Sequence, residues 1–226
     1  MRPIVCMITD RTRLPALSHV EGPAPSRACQ PDAALVAHVA AAARAGAHLI
    51  QIRERDLEGG ALLRLVSRCV EAVGSTAARV LVNDRVDIAL AAGAHGVHLR
   101  GDSVPAARVR PMVPAGFVIG RSVHALAEAS RVWREGAVDY LIFGGVFETE
   151  SKPGRAPAGL AALRAVAAAT PVPVLAIGGV TQDRIESLAP TGAAGFAAIG
   201  LFADREPDEL TATIDRASRA WAAGVR

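Results

Sequence analysis

The chain has 226 residues, a length that suits one (β/α)8 barrel of roughly 200 to 250 residues or two smaller domains. Hydrophobic residues make up 51% of it, which is enough for a sizeable core, whereas aromatic residues at 4% are too few for the stacking platforms that bind single-stranded nucleic acid. The net charge is +3 and the arginines are scattered, so the sequence predicts isolated anion sites and no nucleic-acid partner.

The cysteines and the apolar runs predict a cytoplasmic protein. Cys6, Cys29 and Cys69 show no metal or redox spacing, which is typical of reduced thiols. The first residues, MRPIVCMITD, contain too short an apolar run for a signal peptide. No stretch approaches the ~18 uninterrupted apolar residues of a membrane span, so we expect no membrane partner.

Eight short apolar runs recur along the chain, and each is continuous rather than alternating. Parallel strands that are buried on both faces have this pattern. In chain order the runs are PIVCMITD, HLIQIRER, RVLVND, GVHL, FVIGRS, YLIFGGVF, PVLAIGG and GFAAIG.

A segment with helical period follows each run. Thr181 and Pro207 stand at the starts of the last two segments, as an N-cap and an early-turn proline do. The segments cover residues 32–46, 60–73, 86–93, 104–113, 125–136, 158–170, 182–189 and 208–223.

Eight strands that alternate with helices predict an α/β fold, a single (β/α)8 TIM barrel over residues 1–226. A doubly wound open sheet is the alternative, and it fits less well because no G-x-G-x-x-G follows the first strand. The first strand and its helix are separated by a long βα loop at 11–30, with three prolines and no helical period. Such a loop is either functional or a tolerated surface insertion.

Polar residues concentrate where the predicted strands end, and in a barrel these ends build the active site. The set is rich in cations, amides and hydroxyls and poor in carboxylates. It therefore suits a phosphorylated ligand and not a glycosidase, which needs two carboxylates. Its members are Asp10, Gln51, Arg53, Arg55, Asn83, Asp84, His98, Ser122, His124, Thr149, Ser151, Lys152, Gly178, Gly179, Ile199 and Gly200.

Arg53 and Arg55 alternate with Glu54 on one strand, so both guanidiniums project from the same face. They repel each other unless an anion joins them, which favours an anion site. A salt bridge to Glu54 or Asp56 is the alternative.

Gly178 and Gly179 stand between a strand and a helix, where backbone N–H groups can approach a phosphate closely. An ordinary tight turn is the alternative. Asp84, in the motif VNDR, is either a magnesium ligand or the cap of the helix that begins at Arg85.

Taken in order, the motifs QIRER, VNDR, GAHGVHL, IGRSVH, DYLIFGGVFETESK, LAIGGV and GAAGF resemble the thiamine phosphate synthase/TenI superfamily of (β/α)8 barrels. The resemblance extends from Ile4 to about Phe202. It implies an enzyme that joins hydroxymethylpyrimidine diphosphate to hydroxyethylthiazole phosphate with Mg²⁺, and that releases pyrophosphate and thiamine phosphate. These two small substrates are the implied partners. The sequence leaves open whether the protein forms a homo-oligomer.

The resemblance also implies roles for individual residues. It assigns the thiazole phosphate to Thr149, Ser151, Gly179 with its neighbour Gly178, and the backbone around Ile199 and Gly200. It assigns catalysis to Arg53, Ser122 and Lys152, with His124 as a catalytic candidate of the related tautomerase branch, and Mg²⁺ to Asp84 with Asp102. It assigns the pyrimidine diphosphate to Gln51, Arg53, Arg55, Asn83, Ser122 and Lys152.

Lys152 is the only lysine in the chain, among 25 lysine and arginine residues. A lysine is a compact charge with three donors that can reach several phosphate oxygens as they separate, whereas an arginine is longer and planar. A lone exposed lysine is otherwise uninformative, but here it matches an anion-binding position of the family. We therefore predict that Lys152 stabilises the leaving pyrophosphate.

Three positions depart from the family pattern. The family usually has a lysine two positions after Arg53, and this chain has Arg55 there. The second magnesium aspartate falls on Ser103, with Asp102 one position early, so Asp102 reaches the metal only if its loop shifts. The serine near the last phosphate site is Gly200, which keeps a backbone N–H and loses a hydroxyl.

Other motifs, IRER, RVDIAL, IGRSVH and VFET, are closer to the TenI branch, whose activity is a metal-independent thiazole tautomerase. In that alternative His124 is the acid/base residue, because a proton moves near neutral pH. His124 is otherwise a residue that orients Ser122, and His98 is structural. A third alternative is a non-catalytic regulator that binds thiazole phosphate. The intact pair Asn83 and Asp84 favours the synthase.

Overall fold

The computed structural model describes residues 2–14, 30–149, 154 and 156–225. Most of the predicted loop at 11–30, and with it Cys29, lies outside the described residues, and so do Ser151 and Lys152. The other predicted site residues lie within them. The extent of a single domain over 1–226 stays a prediction.

Eight parallel strands close into a barrel in chain order, and β8 pairs with β1. The prediction of a (β/α)8 TIM barrel is confirmed, and the open-sheet alternative is wrong. The strands are β1 (Ile4–Ile8), β2 (Leu49–Ile52), β3 (Arg79–Asn83), β4 (Gly96–Leu99), β5 (Val118–Val123), β6 (Tyr140–Gly144), β7 (Val174–Ile177) and β8 (Gly195–Ala198).

Helices cover the outer face of the barrel. Among the residues that the structure describes, none of them is long and apolar enough to cross a membrane. The helices are α1 (Gln30–Arg44), α2 (Gly59–Val73), α3 (Val86–Ala91), α4 (Ala106–Val109), α5 (Leu126–Glu135), α6 (Gly159–Ala169), α7 (Ile185–Leu188), α8 (Gly200–Ala203) and α9 (Leu210–Gly224).

The helices match the predicted segments with a few differences. The segment 104–113 is divided into α4 and a 3-10 turn at Arg110–Met112. Thr181 is not the N-cap of α7, because that position is taken by Arg184, whose N–H donates to the carbonyl of Thr181. Pro207 begins a 3-10 turn that leads into α9, and the short helix α8 was not predicted.

The barrel interior holds a small apolar cluster that is separate from the main core between strands and helices. Side chains alternate along a strand, so residues two positions beyond an inward-facing residue also face inward. Gln51 follows Leu49 and Asn83 follows Leu81 in this way, which brings both amides to the carboxyl end of the interior. The cluster consists of Cys6, Ile8, Leu81, Tyr140, Ile142, Leu175 and Ala197.

Gly120 makes room for the ring of Tyr140 across the interior. A Cβ atom at Gly120 would lie 2.1 Å from Tyr140 Cζ, far inside van der Waals contact. The register aligns the two residues on the neighbouring strands β5 and β6. The tyrosine hydroxyl is thereby set beneath the mouth of the barrel.

Candidate active site

Gln51 and Asn83 lie side by side on the neighbouring strands β2 and β3. The amide of Gln51 donates to Asn83 Oδ1 over 3.2 Å. The buried Gln51 Oε1 has no hydrogen-bond partner in the part of the chain that the structure describes. Because buried polar atoms are nearly always paired in proteins, this oxygen is suited to accept from a donor on a ligand.

Ser122 on β5 is oriented by a buried histidine. His98 Nε2 lies 2.8 Å from Ser122 Oγ, and His98 Nδ1 lies 2.9 Å from the hydroxyl of Tyr140. Burial, with a smaller effect of the Arg121 charge, lowers the pKa of His98 to about 3. The ring is therefore neutral, and it donates at one nitrogen and accepts at the other. The sequence predicts a structural role for His98, and in the structure the imidazole of His98 orients Ser122.

The prediction that Arg53 and Arg55 lie on a strand is wrong, because β2 ends at Ile52 and both arginines follow it at the barrel mouth. The two carboxylates that could have paired with them pair with Arg11 instead, since Nη1 lies 3.2 Å from Glu54 Oε2 and Nη2 lies 2.6 Å from Asp56 Oδ2. Within the described residues, neither Arg53 nor Arg55 forms a salt bridge. Burial, followed by the Arg55 charge, lowers the pKa of Arg53. Two neighbouring cations that form no salt bridge favour the anion-site interpretation.

Asp84 follows β3 with φ at +63°, and its N–H donates to the carbonyl of His98 over 3.0 Å. The hydroxyl of Ser103 donates to its carboxylate. Arg100 Nη1 lies 3.6 Å from Asp84 Oδ2, while Nη2 of the same guanidinium pairs with Asp102. Arg100 thus bridges the two aspartates that the sequence assigned to the metal.

The capping alternative for Asp84 is wrong. The N-cap of α3 is Arg85, and no side chain caps that helix end. The carboxylate of Asp84 faces Ser103 and Arg100 instead of the helix.

The loop between β4 and α4 is held in place by Arg121, which is only 5% exposed. Its guanidinium donates to the carbonyls of Gly101, Ser103 and Val104 over 2.9, 3.0 and 2.7 Å. Three bonds from one buried cation fix this segment, so Ser103 is the residue that meets Asp84.

The fit to Mg²⁺ rests on Asp84. Among the described residues, no group of three or more histidine, cysteine, aspartate or glutamate side chains could hold a metal ion. Mg²⁺ is commonly bound by one or two carboxylates together with water and substrate phosphates. Asp84 suits such a site when a diphosphate supplies the other oxygens. Asp102 can bind the same ion only if its salt bridge with Arg100 breaks.

Gly178 and Gly179 turn sharply after β7, with φ at +99° and +62°. A Cβ at Gly178 would lie 2.5 Å from Gly145 Cα, and one at Gly179 would lie 2.3 Å from Glu148 O, so only glycine fits either position. The Gly179 N–H has no acceptor among the residues that the structure describes. The turn is therefore tight and also offers a free backbone donor.

His124 and Thr149 line one cleft at the mouth, together with Gly144, Gly145, Phe147 and the segment from Ala156 to Ala158. The His124 N–H donates to Glu128 Oε2 over 2.7 Å, and its Nδ1 lies 3.8 Å from the same oxygen. Ser151 and Lys152, which the sequence assigns to the same site, lie outside the described residues.

Some residues of the site gave little signal in the sequence. Arg11 and Arg121 were two arginines among many, and the partners of each come from segments distant along the chain. Tyr140 is the only tyrosine of the chain, and its position in an apolar run was the one hint of a buried hydroxyl.

Comparison with known proteins shows which family the chain resembles. A family model described as thiamine monophosphate synthase matches residues 24–202. A thiamine-phosphate synthase of Chlorobium luteolum is 36% identical over 211 residues, which cover 93% of this chain and 90% of that protein. A thiamine-phosphate synthase of Methanoculleus marisnigri is 43% identical over 159 residues, 70% of this chain and 75% of that protein.

The fold agrees as well. The structure of a thiamine phosphate pyrophosphorylase from Pyrococcus furiosus superposes with a TM-score of 0.79 at 27% identity, over 98% of this chain and 96% of that one. The chain therefore belongs to the thiamine monophosphate synthase family and is an enzyme of thiamine biosynthesis.

Proposed function

We propose that this enzyme joins hydroxymethylpyrimidine diphosphate to hydroxyethylthiazole phosphate and releases pyrophosphate and thiamine phosphate. The observation that carries the proposal is the pair of arginines at the end of β2. Arg11 neutralises Glu54 and Asp56, which leaves Arg53 and Arg55 available for the diphosphate. Family membership supports the same reaction.

The pyrimidine is bound by the amides beneath these cations. The buried Gln51 Oε1 accepts from the amino group of the pyrimidine ring, and Asn83 holds the Gln51 amide in place. Ser122 contributes a hydroxyl whose direction is set by the neutral His98. The substrate is thereby fixed with its diphosphate toward the barrel mouth.

The reaction begins with departure of pyrophosphate, which leaves a cation on the methylene carbon of the pyrimidine. The thiazole nitrogen then attacks that carbon. Fixed positive charges at the leaving group are the main catalytic contribution of the protein, since they stabilise charge that grows in the transition state. Arg53, Arg55 and Lys152 have this role, and no nucleophilic side chain is needed.

Mg²⁺ is the proposed cofactor, and when bound it neutralises charge on the diphosphate. Asp84 is the residue that would hold it. Asp102 is the weaker candidate, because its carboxylate is exposed and paired with Arg100. Ser103 orients the Asp84 carboxylate.

The phosphate of the thiazole substrate is proposed to lie at the ends of β7 and β8. The free N–H of Gly179 and the backbone at Ile199 and Gly200 supply donors there, and Thr149 with Ser151 completes the site from the preceding loop. We also propose that the enzyme acts in the cytoplasm, where both phosphorylated substrates would be made and used.

The test is an assay of the purified protein with both phosphorylated substrates and Mg²⁺. Thiamine phosphate and pyrophosphate should form in equal amounts, and EDTA should abolish both. The variant Asp84→Ala should lose nearly all turnover, whereas His124→Ala should retain most of it. Absence of thiamine phosphate at saturating Mg²⁺ contradicts the proposal.

One observation favours a second candidate, the metal-independent thiazole tautomerase. Ser103 contacts Asp84 where a second carboxylate would be expected in a metal site. A tautomerase would interconvert the thiazole isomers in EDTA, tolerate Asp84→Ala and depend on His124, with a pH profile near the ordinary histidine pKa of ~6.5. The same variants therefore separate the two candidates.

A further inference from the structure

Two arginines lie against the two glycine positions at the proposed thiazole phosphate site. A Cβ at Gly179 would lie 3.0 Å from Arg184 Nη1, and a Cβ at Gly200 would lie 3.1 Å from Arg13 Nη2. The strands that precede these residues, β7, β8 and β1, are neighbours around the barrel. Arg13 and the two glycines therefore share one side of the mouth.

The two arginines differ in what remains free on each guanidinium. Arg184 Nη1 donates to the carbonyls of Gly179 at 2.9 Å and Glu148 at 3.4 Å, and its guanidinium lies over the ring of Phe147 at 5.2 Å. Arg184 thus joins two loops and has a structural task. The guanidinium of Arg13 donates to no backbone carbonyl among the described residues.

Arg13 is anchored at both of its ends. Asp10 Oδ1 accepts from the N–H of Thr12 at 3.2 Å and from its hydroxyl at 2.6 Å, which fixes the 3-10 turn Arg11–Arg13 on the end of β1. Asp204, just after α8, accepts from Arg13 Nε at 3.1 Å and Nη2 at 2.6 Å. A side chain held in this way loses little conformational entropy when it binds a ligand.

Asp204 uses only one edge of the guanidinium. Gly200 lies beside both terminal nitrogens of the guanidinium. The position of its missing Cβ is 3.1 Å from Nη2, which also pairs with Asp204, and 3.5 Å from Nη1, which has no acceptor among the described residues. Arg13 is 45% exposed, so its free donors are hydrated and can exchange water for an anion. The absent side chain at Gly200 is what allows the guanidinium to lie there.

We propose that Arg13 is a substrate-binding residue that contacts the phosphate of the thiazole substrate, in place of the serine hydroxyl that the family resemblance implies at Gly200. This inference rests on the proposed function, whose thiazole phosphate site it completes. A guanidinium donates charge-assisted hydrogen bonds to phosphate oxygens, which are stronger than those from a hydroxyl. Arg13 would therefore select the phosphorylated thiazole over the free alcohol.

The first experiment measures steady-state kinetics of Arg13→Ala and Arg13→Lys. We expect KM for hydroxyethylthiazole phosphate to rise roughly 10- to 100-fold in Arg13→Ala, the range expected for loss of a charge-assisted bond, with KM for the pyrimidine diphosphate unchanged. Arg13→Lys should recover part of this loss. Arg131→Ala, which removes an exposed arginine paired with Glu135 on α5, is the matched control and should behave as wild type.

The second experiment tests whether a serine hydroxyl at position 200 can replace the guanidinium of Arg13. A serine at position 200 would bring its Cβ within 3.1 Å of Arg13 Nη2, so Gly200→Ser alone should displace the guanidinium and raise KM for the thiazole phosphate. In the double variant Arg13→Ala/Gly200→Ser the hydroxyl has room, and KM should be lower than in Arg13→Ala. An unchanged KM in Arg13→Ala, or an equal rise for both substrates, would overturn the inference.

Calorimetry with hydroxyethylthiazole phosphate alone separates this inference from the proposed reaction. Wild-type protein that binds this ligand but forms no thiamine phosphate contradicts the synthase function. In that case Arg13 is still judged by binding: a selective loss in Arg13→Ala supports it, and unchanged affinity contradicts it. The free thiazole alcohol should bind wild type and Arg13→Ala alike.

Discussion

The hydroxyl of Ser103 donates a hydrogen bond to the carboxylate of Asp84, between the ends of β4 and β3. Both partners are fixed by backbone contacts. The Asp84 N–H donates to the carbonyl of His98, and the Ser103 carbonyl accepts from the buried Arg121. The surroundings of the proposed metal ligand are therefore set by Ser103 and Arg100.

Ser103→Asp should tighten the binding of Mg²⁺. The new carboxylate would lie beside Asp84, and a second carboxylate raises the affinity of a site for a divalent ion. We expect the Mg²⁺ concentration for half-maximal turnover to fall roughly tenfold. Titration with Mn²⁺ in the presence of pyrophosphate gives the same comparison without turnover, with Ser103→Asn as the uncharged control. Equal metal affinity in Ser103→Asp and Ser103→Asn would contradict the assignment of Asp84 to the metal.

Arg11→Met should weaken binding of the pyrimidine diphosphate although Arg11 is not a proposed ligand. Without Arg11, the carboxylates of Glu54 and Asp56 are free to pair with Arg53 and Arg55. We expect KM for this substrate to rise roughly tenfold, as for the loss of about one charged hydrogen bond. Adding Glu54→Gln should recover part of the affinity. An unchanged KM in Arg11→Met would show that Arg11 does not keep the carboxylates of Glu54 and Asp56 away from Arg53 and Arg55.

The stability of the protein should depend on pH through His98. Its pKa is about 3 in the folded chain and about 6.5 when unfolded, so between these values the unfolded state binds a proton that the native state does not. This contribution to stability is complete above pH ~6.5 and falls by about 1.4 kcal/mol for each pH unit below it.

The measurement is the free energy of unfolding by denaturant at pH 7 and pH 5, for wild type and His98→Asn. The wild type should lose about 2 kcal/mol more than the variant over this interval. Burial also lowers the pKa of His38, His48 and His95, but these contributions are shared by both proteins and cancel in the difference. Parallel pH dependence of the two proteins would contradict a neutral, buried His98.

Gly120→Ala should destabilise the barrel by about 1–3 kcal/mol or more, because the added methyl group overlaps the ring of Tyr140. The displaced tyrosine also loses its contact with His98, so turnover should fall as well. The control is Gly60→Ala within α2, where the added methyl group would contact only the Arg64 side chain. This variant should leave the stability of the barrel unchanged or raise it. Thermal unfolding compares the two variants, and a neutral Gly120→Ala is the contrary result.

Lys152→Ala should lower kcat by a factor on the order of 10² to 10³, comparable to removal of one oxyanion-hole donor. Lys152→Arg restores the charge and should recover activity only in part, because a planar guanidinium replaces a compact ammonium. Single-turnover kinetics with both substrates provide the measurement. Full activity in Lys152→Ala would mean that the lone lysine is incidental.

The sequence by itself determined the fold. Continuous apolar runs separated by segments of helical period leave few alternatives to parallel strands buried on both faces, and the closed barrel is as predicted. The same periodicity also placed Gln51 and Asn83 where predicted strands end, and these ends build the site of a barrel. Both predictions depend on local periodicity, which a single sequence carries.

Only the tertiary structure decided which charges are paired. Arg11, Arg53 and Arg55 are the same residue type in the sequence, yet Arg11 contacts Glu54 and Asp56 across 43 and 45 positions. Arg53 and Arg55 form no salt bridge in the described part of the chain. Arg13 meets Asp204 across 191 positions. Ion pairs and hydrogen bonds depend on distances of a few ångströms that barrel closure creates, so no local pattern in the sequence could determine them.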